Sequence, residues 1–444
     1  MSQPNRKLHL NAFLAASGHH EASWRHADTH PERGVDIQHY IELARIAERG
    51  LLDSVFLADG YWAHSGALEP FTLLAALASV TKHIGLIATV ETTYNEPFHV
   101  ARKFASLDHI SKGRAGWNIV TGAGPAAAHF SKEQHPEHHE RYQSAEEFVE
   151  IVKRLWDSWE DDAVRNDKES GVLYDHTKIH TIDWESERYS VKGPLNIARP
   201  VQGYPVLVQA GSSETGKEFA ARFAEVIFTA QLTIEEAQQF YRDVKARLPK
   251  YARTADQLQI LPGLSPILAD SEAEAKELEN ELWRLIDHEG AIRRLSSRLG
   301  VDLSNHPLDA PLEVEGIQST DEVSGMKSRH QLIVDLIDRE KPTLRQVINK
   351  LAGARGHFTF TGTPLQLADT IEKWFKTGAA DGFNIMPQIY PSGLERFVDQ
   401  VIPELQNRGL FRTAYEDSTL RGNLGLARPA NVRTSNKLNQ EVVL

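Results

Sequence analysis

The residues best suited to hold or transform a small molecule in this sequence are neutral hydrogen-bonding groups set beside glycine or at the ends of apolar runs. Gln209-Ala210-Gly211-Ser212-Ser213-Glu214-Thr215-Gly216 places two hydroxyls next to glycine where a helical pattern begins. Backbone N–H groups and the helix dipole at such a start favour an anion, so Ser212 and Ser213 suit a phosphate. The plainer alternative is that one of them only caps the helix. In His138-His139-Glu140-Arg141-Tyr142, His138 and Tyr142 stand at i and i+4, where they share one face of a starting helix and can meet an anion. His135, His138 and His139 with Glu137 and Glu140 also have the residue types of a zinc site. They lie in a polar loop with no HExxH motif, and a solvated loop is the simpler reading. His19 and His20 form a pair of the residue type that exchanges protons near neutral pH; they serve either acid–base chemistry or a surface. Asp59 ends a short apolar run and either lines a site or caps the following turn. Asn118 and Thr121 end another such run.

Several chemistries are excluded. Gly122-Ala123-Gly124-Pro125-Ala126-Ala127 imitates the dinucleotide pattern G-x-G-x-x-A. A long polar loop follows it where a helix should start, and no acidic residue stands at the next strand end, so no nicotinamide site is expected. There is no P-loop and no G-x-S-x-G elbow. The sequence contains 0 cysteines, which removes disulfides and thiolate chemistry and fits a cytoplasmic enzyme. A net charge of −12 opposes nucleic-acid binding. No apolar run approaches the ~20 residues of a membrane span, and Met1-Ser2-Gln3-Pro4-Asn5-Arg6-Lys7 has no signal-peptide core.

The elements that must position these residues alternate. Apolar, β-favouring runs at 8–14, 54–57, 83–90, 114–121, 205–210, 225–230, 258–268 and 382–387 predict strands. Helical spacing separates them, most clearly in Phe148, Ile151, Val152, Leu155, Trp156 and Trp159. Eight strands alternating with helices is the count of an α/β fold of the (β/α)8 TIM-barrel type; a doubly wound sheet shows the same alternation. The barrel is favoured because eight units fit the 444 residues once two insertions are set aside. These insertions fall at about 160–204, with a small hairpin near 188–197, and at 271–360, read as helical. A tail at 406–444 completes one unit spanning 1–444. In a barrel the working residues follow the strands. That collects His19, His20, Asp59, Glu91 to Tyr94, Asn118, Thr121, Ser212 and Ser213.

Longer stretches carry a resemblance. Ala76-Leu77-Ala78-Ser79-Val80-Thr81-Lys82-His83-Ile84-Gly85-Leu86, Ser106 to Asn118, Pro136 to Tyr142, Gln209 to Gly216 and Leu420-Arg421-Gly422-Asn423-Leu424-Gly425-Leu426 occur in family order. With these the chain resembles the bacterial luciferase-like, FMN-dependent monooxygenases, in the subgroup acting on nitrilotriacetate, dibenzothiophene sulfone and long-chain alkanes. The resemblance implies FMN at the C-terminal mouth of the barrel. It assigns the flavin to Asp59, a threonine after the third strand (Thr92, with Thr93 as the alternative), His138, Tyr142 and Ser213. Ser212 and Asn118 would be neighbours, with the phosphate near Tyr142 and Ser213. His19 or His20 would lie beside the flavin as the catalytic candidates. It further implies a two-component system. A separate NAD(P)H-dependent flavin reductase supplies FMNH2, and O2 reacts through a C4a-peroxyflavin to oxygenate a small organic substrate. The 271–360 insertion would form a lid and substrate wall, and the enzyme would be a homo-oligomer without membrane or nucleic-acid partners. Competing readings are a deazaflavin-dependent oxidoreductase of the same superfamily, a non-catalytic flavin-binding barrel and a metal-dependent barrel hydrolase.

Overall fold

Short runs rich in Val, Ile, Leu and Phe, each followed by a helix, can bury both faces only in a closed or doubly covered parallel sheet. The computed structural model, which describes residues 6–61, 67–122, 126–313, 317 and 327–434, shows the closed solution. The strands are β1 (His9–Phe13), β2 (Ser54–Leu57), β3 (Gly85–Glu91), β4 (Ala115–Val120), β5 (Val206–Gln209), β6 (Val226–Thr229), β7 (Gln259–Leu268) and β8 (Gly382–Ile385). All pair in parallel with their sequence neighbours, and β8 returns to β1 through His9 opposite Gly382. The fold is an α/β TIM barrel. Met1 to Asn5, the centre of the G-x-G-x-x-A pattern at 123–125, and tail residues 435–444 lie outside the described residues.

The outer layer includes α1 (Ile37–Arg49), α2 (Pro70–Val80), α3 (Pro97–Ser111), α4 (His138–Trp156), α5 (Glu214–Phe223) and α6 (Ile234–Arg247). The apolar stripe of α4 packs as its spacing predicts: Phe148, Ile151, Val152 and Leu155 are all fully buried. Trp156 donates its indole N–H to the Ala101 carbonyl at 2.9 Å, tying α4 to α3. A capping box between Glu137 and Glu140 starts α4 at His138, earlier than its apolar stripe suggests.

The insertions differ from the sequence reading in detail. The first holds two hairpins, Val164–Asp167 with Val172–Tyr174 and Trp184–Glu185 with Ser190–Val191, where one was expected. The second contains α7 (Glu272–Arg284), α8 (His288–Leu299), α9 (Lys327–Glu340) and α10 (Leu344–Ala354), with Leu295, Leu299, Ile337 and Val347 in a core of their own. It ends in a strand, Phe358–Gly362, over residues read as mostly helical. At 10 residues β7 outruns β8, which has 4, so its upper half has a free edge. Phe358 to Gly362 fill that edge in parallel register from Leu264 to Leu268. The helix that follows, α11 (Pro364–Lys376), is a further addition to the sequence reading; its start signals are present, with Thr363 as N-cap and Pro at the first position.

The tail is a structural part of the barrel. Its short helical turn Leu420–Asn423 tucks fully buried Leu420 under the N-terminal ends of the strands. Gly85 and Gly116 leave room for it: a Cβ at either would come within 2.5 and 3.3 Å of the Leu420 methyls. Arg421 pairs with Glu225 and donates to the Tyr204 carbonyl at 3.0 Å. Truncating such a plug leaves a cavity, and a buried Leu→Ala change typically costs about 2–5 kcal/mol. Leu420→Ala is expected to lower the unfolding free energy in urea by that amount while the folded protein keeps its far-UV spectrum. An unchanged midpoint would show that the turn merely rests on the barrel.

Candidate functional site

At the C-terminal ends of the strands lies a cavity of about 340 Å³. Phe13 from β1, Phe56 from β2 and Phe228 from β6 line part of it, with ring centroids 4.9 to 5.6 Å apart. Such contacts make a stiff, dry surface suited to a flat aromatic ligand.

One side of the cavity is built for an anion. Ser213 is the N-cap of α5, accepting the Gly216 N–H at 3.1 Å, and it also borders the cavity beside Ser212. The capping and ligand readings therefore coincide at one residue. The buried Tyr142 hydroxyl lies against Ser213 and Gln209, and burial raises its pKa. A Cβ at Gly211 would meet Gln209 Nε2 at 2.3 Å and the Tyr142 hydroxyl at 2.7 Å, so this turn requires glycine for close packing. The His138 ring lies 5.0 Å from that of Tyr142. Arg141, which the sequence reading does not single out, also lines the cavity. Its Nη1 donates to the Pro136 carbonyl at 2.7 Å, and its buried Nε–H has no acceptor among the described residues. Hydroxyls, a helix start and a half-buried arginine with an unused Nε–H form a fitting cradle for a phosphate dianion.

Carboxyls line the cavity as well. Asp59 accepts the Gly60 N–H at 2.9 Å, and burial raises its pKa. Glu91, the last residue of β3, is 9% exposed and has an Oε1 without a donor among the described residues. Burial, and then the Asp59 charge, push its pKa up to about 7. Asn118 donates to Thr89 Oγ1 at 2.8 Å across the β3–β4 pair, leaving its Oδ1 without a donor among the described residues.

Two expectations land elsewhere. Thr92 and Thr93 are not lining residues: Thr92 is buried in the turn after β3, and Thr93 donates to the Thr121 carbonyl at 2.7 Å. The threonines that line the cavity are Thr89 and Thr121. Strand alternation sends Ile87, Thr89 and Glu91 inward along β3, a signal available in the sequence. His19 and His20 lie outside the lining as well. His19 donates from Nε2 to the Phe13 carbonyl at 2.7 Å, with its ring 4.6 Å from that of Phe13. Burial, followed by a smaller effect of the Arg355 charge, lowers its pKa to about 3. His20 accepts the Ala22 N–H on Nδ1 at 3.1 Å, and burial lowers its pKa to about 4. Both imidazoles are neutral throughout the physiological range, so the titration near neutrality expected of the pair is displaced by burial. In the histidine loop, His135 bonds to the Tyr94 hydroxyl at 2.7 Å. Among the described residues no group of 3 or more His, Asp or Glu side chains is placed to hold a metal ion.

The luciferase-like monooxygenase family model matches residues 16–381. N-acetyl-S-(2-succino)cysteine monooxygenase of Bacillus subtilis strain 168 is 50% identical over 440 residues, covering 97% of this chain and 99% of the relative. Nitrilotriacetate monooxygenase component A of Aminobacter aminovorans is 48% identical over 448 residues, covering 96% and 98%. The solved structure of riboflavin lyase (RcaE) with modified FMN and riboflavin superimposes with a TM-score of 0.83 at 31% identity, covering 96% of this chain and 97% of that one. The chain belongs to the luciferase-like monooxygenase family. Its close relatives are named monooxygenases, and it is an enzyme of that class.

The Glu91 carboxyl has a consequence for stability. Its folded pKa of about 7 exceeds the ordinary 4.5, so the native state holds a proton that the unfolded chain releases. Ionisation therefore favours the unfolded chain: the penalty is absent below pH ~4, grows as pH rises to about 7 and is constant above. Its ceiling is about 3 kcal/mol, at 1.36 kcal/mol per pKa unit. Glu91→Gln is expected to stabilise the protein at pH 8 and to have no such effect at pH 4. Urea midpoints of both proteins at the two pH values check this; an equal difference at each pH would place the cause outside the carboxyl's ionisation.

Proposed function

We propose that this chain is the oxygenase component of a two-component system. It takes FMNH2 from a separate NAD(P)H-dependent flavin reductase and uses O2 to oxygenate a small sulfur-, nitrogen- or alkyl-containing substrate. The net reaction converts substrate, O2 and FMNH2 into oxygenated product, FMN and water. The observation that carries this reading is the convergence of Ser213, Tyr142, His138 and Arg141 on a helix start beside an aromatic-lined cavity. The modified FMN of the 31% identical riboflavin lyase structure supports the cofactor. The words "component A" in the name of the 48% identical nitrilotriacetate monooxygenase support the partner.

FMNH2, when bound, supplies the reducing electrons and the means to activate O2; the protein supplies binding, orientation and exclusion of water. Ser212, Ser213, Tyr142, His138 and Arg141 hold the phosphate. Phe13, Phe56 and Phe228 keep one side of the cavity dry, while Asp59, Asn118 and Thr89 offer polar contacts that orient the ring system. His19 stands behind Phe13, its Nε2–H fixed by the Phe13 carbonyl. We place the enzyme in the cytoplasm; no described helix is long and apolar enough to cross a membrane.

Removing one hydrogen bond to a charged phosphate costs about 1.5–3 kcal/mol. Ser213→Ala and Tyr142→Phe are each expected to weaken FMN binding accordingly in a fluorescence titration; unchanged affinity in both would move the phosphate elsewhere. In turnover, NADH with the purified chain should give no oxidation, and adding FMN with a flavin reductase should start it. Rapid NADH oxidation without reductase would refute the two-component reading.

A further inference from the structure

Glu91 closes β3 and lines the cavity, yet it belongs to neither the phosphate cradle nor the aromatic lining. Its backbone is held on both sides. The Thr92 N–H bonds to the Val120 carbonyl of β4 at 2.9 Å, and Asn95 Nδ2 donates to the Glu91 carbonyl at 2.9 Å. The loop after β4 presses on the carboxyl itself: Gly122 has φ +73°, and a Cβ there would come within 2.5 Å of Glu91 Oε2. Glycine at this position lets the loop approach without displacing the carboxyl. The side chain is thus fixed and enclosed, with Oε1 lacking a donor among the described residues.

The charged and titratable groups facing it, among the described residues, come from three sides. Asp59 follows β2, Arg141 stands on α4, and Tyr61 and Tyr94 are near enough to feel the Glu91 charge. Burial and then Asp59 oppose ionisation of Glu91, and Arg141 favours it. An ionised carboxyl only accepts hydrogen bonds, whereas a protonated one can also donate. The flavin ring system changes in the matching sense. Reduction adds hydrogen at N1 and N5, so ring acceptors of FMN become N–H donors in FMNH2. The phosphate is the same in both forms, and the Ser213 end of the cavity cannot tell them apart.

Resting on the flavin reading of this cavity, we propose that Glu91 is the residue by which the site distinguishes FMNH2 from FMN, its carboxylate accepting a ring N–H that the reduced form alone carries. Specificity of this kind is a difference of two affinities, and it needs an unfavourable contact with the wrong form as well as a good one with the right form. Carboxylate against a ring acceptor of FMN supplies the unfavourable contact. An oxygenase fed by a separate reductase gains from both, since it must take up FMNH2 and let FMN go. A Glu91 that served only to hold Arg141 would act through the phosphate and alter both affinities alike.

The test is titration of the protein with FMN in air and with FMNH2 under anaerobic conditions, at pH 5 and pH 9, either side of the Glu91 pKa of about 7. It compares the parent protein, Glu91→Gln and Ser213→Ala. The quantity read is the preference for FMNH2 over FMN within each protein, so the ligands' own ionisations are common to all three. A hydrogen bond to a charged acceptor exceeds a neutral one by enough to change affinity about tenfold. The preference should therefore be about tenfold greater in the parent than in Glu91→Gln at pH 9, and equal in the two at pH 5. Ser213→Ala should weaken both flavins and keep the parent's preference. Equal preferences in parent and Glu91→Gln at pH 9, or the same difference between them at both pH values, would overturn the proposal while leaving the flavin reading intact. Failure of both flavins to bind the parent would overturn the flavin reading and this inference with it.

Discussion

The geometry of the site rests on carboxylates at the opposite end of the barrel. Asp53, just before β2, accepts the Leu10 N–H of β1 at 2.7 Å and pairs with Arg412. Glu225, just before β6, accepts the Leu207 N–H of β5 at 3.0 Å and pairs with Arg421. Asp381, just before β8, accepts the Ile260 N–H of β7 at 2.9 Å and pairs with Lys245 at 3.1 Å. Each carboxylate fixes the stagger of two neighbouring strands. A slip by one residue would turn every inward side chain outward. Removing one partner of such a buried pair costs roughly 3–5 kcal/mol, far more than an exposed ion pair contributes. These bonds at the closed end are therefore what bring Phe13, Thr89, Asn118 and Phe228 into register at the open end. Two of the basic partners, Arg412 and Arg421, come from the tail, which makes the last segment of the chain part of the barrel's alignment.

That alignment gives the upper cavity a mixed lining. Arg141, Tyr142 and the start of α5 present donors, while Asp59 and Glu91 present carboxyls. Arg141 is near enough to Glu91 for its charge to oppose the rise in the Glu91 pKa, so donors and carboxyls meet within one cavity. An anionic group is favoured at the Ser213 helix start and disfavoured beside Asp59, whereas the aromatic lining contributes affinity without direction.

Much of this is legible in the sequence, and the parts that are not have specific causes. The eight barrel strands, the α4 stripe and the Ser212-Ser213 turn are readable because period-two and period-3.6 patterns are local. Phe358–Gly362 is not, because so short an alternation has no meaning until the overhang of β7 offers it an edge. Thr89 yields to Thr92 when only residues after the strand are weighed, although inward alternation continues to Glu91. Arg141 lies inside a recognisable motif without standing out, since a surface arginine is the usual case and its buried Nε is a tertiary fact. The tail carries no periodicity because its role is to fill space left by Gly85 and Gly116, which only the closed barrel creates.

Burial also redistributes proton chemistry in a way that residue types alone misrepresent. Histidine is the usual acid–base group near neutral pH, yet His19 and His20 are driven to about 3 and 4 because their rings are enclosed. Arg355 adds to the effect at His19, and the Phe13 carbonyl opposes it without restoring it. The same desolvation acts with opposite sign on a carboxylic acid, raising Glu91 to about 7. Glu91, at the end of a barrel strand, is therefore brought toward neutral pH beside this cavity, while the imidazoles behind Phe13 are moved away from it. His19 keeps its proton on Nε2 and its lone pair on Nδ1 throughout the physiological range. It is thus a neutral dipole behind Phe13, kept so chiefly by burial.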